Sequence, residues 1–252
     1  YPRWEKLEGQ TIFNLPPHGP VVMAAEIPDN VEIEFTDENV EELIINESPD
    51  LVGISMMLTT QVKRGWAIAD QYRKLGKKVI FGGISTMLHA EETMLHADSV
   101  FLGEVEGRFD QIIQDFHKND LKKIYNFMNK PPDMNLIGPA NRNILKKDLY
   151  YHKGFRMVDL FHASRGCIYD CYPCAVRYLG GRGFRPRPID RVVEELSQMD
   201  NNRLFIVDNS LALDTQWEKE LFKAMIPLKK NWVSHTIEDK DEVLDLAAQA
   251  GA

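Results

Sequence analysis

The chain has 252 residues, of which 44% are hydrophobic and 27% are charged, and its formal net charge is −8. This composition is typical of a globular protein with one large or two ordinary domains. The acidic charge argues against nucleic acid or an anionic membrane surface as the main partner. No apolar run is long enough for a transmembrane span and no signal peptide opens the chain, so we expect a soluble, cytoplasmic protein. Because Tyr1 is not an initiator residue, we also expect part of a longer protein.

Residues 1–117 alternate between short apolar runs and helical patterns. Strands are predicted at 31–35, 51–55, 78–81 and 99–102, and helices at 40–46, 62–75, 90–95 and 108–116. Such alternation predicts a doubly wound parallel α/β sheet, which binds ligands at the carboxyl ends of its strands. Those ends lie at Ser55, Gly82-Gly83 and Gly103-Glu104.

The periodicity fades over residues 118–155, where Pro131-Pro132 and Gly138-Pro139 predict a linker. A second alternating set fills residues 156–252. Strands are predicted at 157–161, 204–207 and 231–236, and helices at 189–199 and 243–250. Another helix is predicted to begin at Thr215, where Thr215 and Glu218 form a capping-box pattern. Three βα units in about a hundred residues predict the first half of a β/α barrel, cut short at the chain end.

All three cysteines fall within eight residues, in Cys167-Ile-Tyr-Asp-Cys171-Tyr-Pro-Cys174, directly after a predicted strand. An odd number of clustered cysteines is typical of a ligand set in a reducing compartment rather than of a disulfide framework. Three thiolates in one loop can hold an iron–sulfur cluster and leave one iron open. The alternatives are a zinc site, which would need a fourth ligand that the neighbouring sequence does not supply, or three unrelated buried cysteines.

The segment from Ser164 to Cys174, continued by 181–188, resembles the radical S-adenosylmethionine superfamily. Three stretches of the first domain, 48–55, 81–83 and 97–106, resemble the branch of that superfamily that carries an N-terminal cobalamin-binding domain. The resemblance covers nearly the whole chain. It departs from the family pattern at Pro173, where an aromatic residue usually precedes the third cysteine, since Tyr172 stands one place earlier.

The resemblance implies that a 4Fe–4S cluster on Cys167, Cys171 and Cys174 binds S-adenosylmethionine and cleaves it reductively to a 5′-deoxyadenosyl radical. It also implies that Tyr172, Pro173 and Arg185 contact S-adenosylmethionine, and that Asp208 and Asn209 hold its amino group. Without the resemblance, Asp208 is explained as a helix-capping residue in a turn. Arg182, Arg185 and Arg187 form a basic run that would either bind a carboxylate, a phosphate or the nucleoside, or close the loop with surface ion pairs.

For the first domain the resemblance implies cobalamin at the strand ends. The residues predicted to contact it are Ser55, Met56, Thr59, Gly82, Gly83, Gly103 and Glu104. Ordinary strand-to-helix turns explain the glycines equally well, and core packing explains the methionines. The Asp-x-His-x-x-Gly motif that supplies a lower axial histidine in many cobalamin proteins is absent, as it often is in this branch, and the nearest histidines are His89 and His96.

The function predicted from these features is a cobalamin-dependent radical S-adenosylmethionine methyltransferase. It would transfer a methyl group to an unactivated carbon of a small-molecule or peptide substrate, with a flavodoxin or ferredoxin-type electron donor. The alternatives are a cobalamin-independent radical enzyme with a vestigial first domain, and a non-enzymatic redox sensor that holds a cluster or zinc.

Overall fold

The computed structural model describes residues 1–3, 14–179, 181 and 183–252. These residues form two compact units. Unit 1 contains the described residues between Tyr1 and Asn14, together with Gly19–Pro132 and Asn141–Tyr150. Unit 2 contains Leu15–His18, Asp133–Ala140 and the described residues from Tyr151 to Ala252. In the described ranges no helix has both the length and the hydropathy needed to cross a membrane.

Unit 1 is built on a four-stranded parallel sheet whose spatial order is the chain order. Its strands are β1 (Leu51–Ser55), β2 (Lys78–Gly82), β3 (Ser99–Leu102) and β4 (Ile124–Asn126). The helices of this half of the chain are α1 (His18–Ala25), α2 (Val62–Lys74), α3 (Ile84–Leu88), α4 (Ala90–His96) and α5 (Phe109–His117). The strands predicted at 51–55, 78–81 and 99–102 and the helices predicted at 62–75, 90–95 and 108–116 are therefore confirmed.

The sheet of unit 1 buries apolar side chains on both faces, because successive residues of a strand point to opposite sides. Val79 and Phe81 of β2 pack in one core with Ile68 of α2. Ile80, between them in sequence, packs in a second core with Ile112 of α5. A sheet covered on both sides agrees with the near-continuous apolar runs of its strands.

Two elements predicted before β1 are absent from the structure. Residues 31–35 alternate apolar and acidic side chains but form no strand, because alternation marks a half-buried face without supplying a partner strand for the backbone. Residues 40–46 form no helix. Leu43 and Ile45 pack against the first core while Ile44 is 74% exposed, which is the period of an extended chain and not of a helix.

The predicted linker also contains regular structure. β4 lies within residues 118–155 and pairs with β3 in parallel, so that the first sheet continues beyond the predicted boundary at residue 117. The remaining short elements are single 3₁₀ turns at Thr59–Gln61, Met134–Leu136, Arg142–Ile144, Lys147–Leu149 and Ile226–Leu228.

Unit 2 contains a three-stranded parallel sheet and two small antiparallel pairs. The sheet has the order β11-β10-β7, with β7 (Asp159–Phe161), β10 (Arg203–Ile206) and β11 (Asn231–Ser234), and the pairs are β5 (Tyr151–His152) with β6 (Phe155–Arg156) and β8 (Ser164–Arg165) with β9 (Arg185–Pro186). The helices are α6 (Val176–Leu179), α7 (Ile189–Gln198), α8 (Thr215–Met225) and α9 (Asp241–Ala250). The predicted βα units are present, with slightly shorter strands.

The three long helices of unit 2 share one core with the parallel sheet. Phe161, Leu204 and Trp232 contribute from the strands, and Leu196 and Phe222 from the helices. The start of α8 differs from the predicted capping box by one residue. Asp214 is the N-cap, and its carboxylate accepts a hydrogen bond from the backbone N–H of Trp217 at 3.0 Å. An Asp is a better N-cap than a Thr, which accounts for the shift.

Candidate functional site

In unit 1 the predicted ligand-binding residues lie where β1 and β2 end. Ser55 and Gly82 are register partners at the carboxyl ends of the two strands. Met56 continues the ladder, since its N–H donates to the Gly82 carbonyl at 3.0 Å and its carbonyl accepts from the Ser85 N–H at 2.9 Å. The Met56 side chain is fully buried, as core packing predicts, and Thr59 is exposed.

The glycines at these strand ends fall into two kinds. Gly83 and Gly103 have φ values of 91° and 114°, and a Cβ on either would lie within 3.0 Å of backbone atoms of Met56 or Phe127. Their conformation and their neighbours therefore require glycine whether or not a ligand binds. A Cβ on Gly82 would meet nothing within 4 Å. Of the three predicted glycines, only Gly82 leaves open space that a ligand can use.

The loop after β1 is held by a residue that was not predicted from the sequence. The Gln61 side-chain carbonyl accepts hydrogen bonds from the backbone N–H groups of Met57 and Leu58, at 2.8 and 2.9 Å. Gln61 itself is fully buried. A polar residue at the start of an amphipathic helix carries no sequence signal for this role, because the contact depends on how the loop folds back.

The two segments that follow β1 and β2 expose large apolar side chains. They are Met57 at 50%, Leu58 at 38%, Ile84 at 42% and Leu88 at 53% of their full accessibility. Exposed apolar side chains next to the carboxyl edge of a parallel sheet are typical of a ligand-binding surface. Glu104, in the turn after β3, is half-buried, and its carbonyl accepts from the Arg108 guanidinium at 3.1 Å.

His96 has a structural environment in unit 1. Its ring stacks on Trp66 with 4.8 Å between ring centroids, and its Nδ1 lies 2.9 Å from the Asp70 carboxylate. These contacts join α4 to α2, as expected for a residue on a surface helix.

In unit 2 the three cysteines lie on a solvent-accessible loop. Cys171 and Cys174 are exposed, Cys167 is half-buried, and none forms a disulfide. The Cys174 N–H donates to the Cys171 carbonyl at 2.8 Å, and the Cys167 carbonyl accepts from the Gly183 N–H at 3.3 Å. Three accessible thiols on one loop suit the thiolate ligation of an iron–sulfur cluster. Among the described residues, however, no three His, Cys, Asp or Glu side chains are gathered as metal ligands would be.

The neighbours of the cysteines differ in accessibility. Tyr172 is 98% exposed and Pro173 is exposed, and the peptide bond between them is cis. Arg185 is half-buried in β9, with its guanidinium 3.8 Å from the sulfur of Met134. Arg182 lies outside the described residues.

Asp208 lies two residues beyond β10 and is only 3% exposed. One carboxylate oxygen accepts from the Ala163 N–H at 2.8 Å and the other accepts from the Ser164 hydroxyl. Burial raises the pKa of Asp208 to about 7, against the opposing effect of these hydrogen bonds. Asn209 is exposed, and its side-chain amide donates to the Gly166 carbonyl at 3.4 Å.

Arg187 is fully buried and does not belong to a surface basic run. Its guanidinium donates to the Glu195 carboxylate at 2.7 Å and to the His162 carbonyl at 2.9 Å. It also lies 5.6 Å from the centroid of the Phe161 ring. Glu195 was not predicted from the sequence as the partner of Arg187. The available signal was an acidic residue next to the apolar positions Val192 and Leu196 of α7.

Residues 25–113 match the B12 binding domain family. This matched region contains β1 to β3 and most of α5, with all of the strand ends described above. The match ends before the cysteine loop. This part of the chain is therefore similar to B12-binding domains, and the carboxyl edge of the unit 1 sheet is the candidate ligand surface.

Curated relatives of the chain are methyltransferases. Bacteriochlorophyllide d C-12(1)-methyltransferase of Chlorobaculum tepidum is 26% identical over an alignment of 231 residues, which covers 87% of this chain and 50% of that protein. Bacteriochlorophyllide d C-8(2)-methyltransferase of the same organism is 29% identical over 180 residues, 69% of this chain and 39% of that protein. The chain thus spans half or less of the length of these relatives.

Solved structures with a similar fold include two enzymes with cobalamin bound. The radical S-adenosylmethionine methyltransferase TsrM from Kitasatospora setae, with cobalamin and a [4Fe-4S] cluster bound, matches with a TM-score of 0.59 and 17% identity, over 81% of this chain and 48% of TsrM. The cobalamin-dependent S-adenosylmethionine radical enzyme OxsB, with aqua-cobalamin and S-adenosylmethionine bound, matches with a TM-score of 0.62 and 17% identity, over 81% of this chain and 34% of OxsB. At this identity the likeness shows the shared fold.

Proposed function

We propose that this chain is part of a cobalamin-dependent radical S-adenosylmethionine methyltransferase. The observation that carries the proposal is the combination, in one chain, of a B12-binding domain at residues 25–113 and a C-x3-C-x2-C loop that follows the first strand of a second parallel sheet. Each feature on its own is compatible with a different class of protein. Together they fit a protein that holds both a corrinoid and an iron–sulfur cluster.

Cobalamin is proposed to bind over the carboxyl edge of the unit 1 sheet. Gly82 offers open space there, and Met57, Leu58 and Ile84 offer exposed apolar surface. Ser55, Thr59 and Glu104 are polar residues of the same strand ends and turns. In this role Met56, Gly83 and Gly103 shape the surface from beneath, because their contacts are with the protein itself.

Cys167, Cys171 and Cys174 are proposed to hold a 4Fe–4S cluster, and the exposed Tyr172 and Pro173 to lie beside bound S-adenosylmethionine. When bound, these groups supply one-electron cleavage of a sulfonium and methyl transfer. The role of the protein is to position three thiolates on one loop and to leave the fourth iron open. Arg185, half-buried next to the loop in the β8–β9 pair, supplies a positive charge for a carboxylate.

We further infer that unit 2 is the first half of a β/α barrel. In support, the helices cover one face of the sheet, while the alternate strand residues Phe205 and Val233 stay partly exposed, Val233 at 59%. In a barrel this second face points inward. The substrate, a small molecule or a peptide, and a flavodoxin or ferredoxin-type donor in the cytoplasm remain parts of this proposal.

The proposal is tested by incubating the anaerobically reconstituted full-length protein with dithionite and S-adenosylmethionine and assaying 5′-deoxyadenosine. We expect 5′-deoxyadenosine from the wild type and none from Cys171→Ala. Cleavage without bound corrinoid would favour a cobalamin-independent radical enzyme. A protein that holds zinc and cleaves nothing would be the redox sensor or zinc protein instead.

A further inference from the structure

The residues that follow β7 and β10 meet at one edge of the unit 2 sheet. The two strands are parallel neighbours, with Phe161 opposite Ile206. The Val207 N–H continues this ladder by donating to the Phe161 carbonyl at 2.8 Å. The segment 162–166, which enters the cysteine loop, therefore lies beside Asp208 and Asn209.

Asp208 and Asn209 bind this segment at three points. Asp208 accepts from the Ala163 N–H and from the Ser164 hydroxyl, and Asn209 donates to the Gly166 carbonyl. Gly166 is the residue immediately before Cys167. Two consecutive residues of one strand end thus hold the start, the middle and the end of the entry segment.

We infer that Asp208, assisted by Asn209, is a positioning residue that fixes the entry to the cysteine loop. This role differs from the contact with S-adenosylmethionine predicted from the family resemblance. Both carboxylate oxygens of Asp208 already accept hydrogen bonds from the protein, and 3% exposure leaves little surface for an ammonium group.

Other contacts fix the same segment from the opposite side. The Ala163 carbonyl accepts from the Arg187 N–H at 2.9 Å, and Ser164 pairs with Pro186 across the β8–β9 pair. The segment is therefore clamped between β10 and β9. Of the cysteines that follow it, Cys167 is half-buried and Cys171 and Cys174 are exposed, so a defined starting point for their loop has to come from this clamp.

The first test uses hydrogen exchange of the apo protein, before any cluster is assembled. Asp208→Ala should accelerate exchange at the Ala163 amide and across 163–166 by about tenfold, the loss expected for one buried hydrogen bond. Ser164→Ala, a milder change, should do so to a smaller extent. Asp208→Asn, which keeps an acceptor for the Ala163 N–H, should restore protection. Unchanged exchange at 163–166 in Asp208→Ala and Ser164→Ala would overturn the inference.

Asn201 provides a matched control at the other end of the same two strands. It is buried, it lies just before β10, and its side-chain amide donates to the Met157 carbonyl, just before β7, at 2.8 Å. Asn201→Ala therefore removes a similar cross-strand contact without touching the cysteine loop. It should leave exchange at 163–166 unchanged, and acceleration there equal to that of Asp208→Ala would mean general loosening of the sheet and overturn the inference.

The second test, which rests on the proposed function, measures iron per chain and the electron paramagnetic resonance of the reduced cluster. Asp208→Ala should take up less iron or give altered g-values without S-adenosylmethionine, and Asp208→Asn should behave as the wild type does. If Asp208→Asn and Asp208→Ala both assemble a normal cluster but lose the spectral response to S-adenosylmethionine, Asp208 is the ammonium ligand and the inference fails. A wild type that takes up no iron would defeat the proposed function, whereas the exchange result would still decide the role of Asp208.

Discussion

The guanidinium of Arg187 and the carboxylate of Glu195 form an ion pair at 2.7 Å in which both side chains are almost completely buried. Arg187 follows β9 directly, and Glu195 lies on α7, eight residues later. The same guanidinium donates to the His162 carbonyl, just after β7. One buried pair therefore ties the cysteine-loop entry to the first long helix of unit 2.

Removing one partner of this pair should destabilise unit 2 strongly. Glu195→Ala leaves a buried guanidinium without its counter-charge, and we expect the free energy of unfolding to fall by about 3–5 kcal/mol. The control is Glu194→Ala on the same helix, which breaks an exposed pair with Arg191 at 3.2 Å and should cost about 0–1 kcal/mol. Urea unfolding of the two variants measures the difference, and equal losses would contradict this prediction.

The approach of Gly166 to Gly183 should make the cysteine loop intolerant of a methyl group. A Cβ on Gly166 would collide with the Gly183 carbonyl oxygen, and the φ of Gly166 is +79°. Gly181 has a similar φ of +73° but open space around its Cβ. Gly181→Ala should therefore cost only the backbone strain, roughly 1–2 kcal/mol.

Gly166→Ala adds a backbone collision to that strain, so it should also displace the residue before Cys167. We expect a larger loss of stability and a lower iron content after reconstitution than in Gly181→Ala. Thermal unfolding and iron analysis of both variants provide the measurement. Two variants that cannot be distinguished would show that the loop absorbs the added methyl group.

The raised pKa of Asp208 predicts how stability depends on pH. Burial lifts this pKa from 3.8 to about 7, so the folded state holds the proton more tightly than the unfolded state does. Stability from this group is therefore full at low pH and is lost as the pH rises from about 4 through 7. Asp208→Asn carries no such titration, and its stability relative to the wild type should rise by on the order of 3 kcal/mol between pH 4.5 and 8.

Denaturant unfolding of wild type and Asp208→Asn at the two pH values checks this prediction. Burial also raises the pKa of Glu218 to about 7, but both proteins contain Glu218, so its contribution cancels in the difference. Parallel stability curves for the two proteins would show that Asp208 titrates near its ordinary value in the folded state.

Much of the fold follows from local sequence patterns, and most of the contacts at the two sites do not. The α2 and α7 helices repeat apolar residues at helical spacing, and β2 and β3 are apolar on both faces, so their type can be predicted directly. Residues 40–46 were predicted wrongly because only tertiary packing reveals that Ile44 faces solvent. A segment of seven residues is too short for its apolar pattern to distinguish the period of a helix from that of an extended chain.

The site residues divide in the same way. The cysteine spacing and the strand ends at Ser55 and Gly82 are visible in sequence. The acceptor role of Gln61 is not, and neither is the hydrogen bond that Asp208 accepts from the Ala163 N–H, because it joins residues 45 positions apart through strand pairing. Gly83 and Gly103 show the limit most clearly, since turn geometry and ligand contact predict the same residue type and only the surrounding backbone decides.

Open space at Gly82 predicts a variant that folds normally but binds corrinoid poorly. A leucine there meets no protein atom near its Cβ and fills the strand end proposed to face the corrin. Gly53→Leu is the control. Gly53 also has open space around its Cβ, but it lies within β1, paired with Ile80, two residues before the strand end at Ser55. We expect Gly82→Leu to weaken hydroxocobalamin binding by tenfold or more, about 1.4 kcal/mol, with Gly53→Leu unaffected.

Absorbance titration of the apo protein with hydroxocobalamin measures both affinities, with circular dichroism as the check on folding. Wild-type affinity in a correctly folded Gly82→Leu would place the corrinoid away from this strand end.

Whether one chain holds both a corrinoid and an iron–sulfur cluster is decided by metal and cofactor analysis of a single sample. The full-length protein would be purified and reconstituted anaerobically, and its iron, sulfide, zinc and corrinoid content measured per chain. We expect about four irons with matching sulfide, together with bound corrinoid, and loss of the iron but not of the corrinoid in Cys171→Ala. Zinc in place of iron, or iron without any corrinoid, would contradict the proposed function.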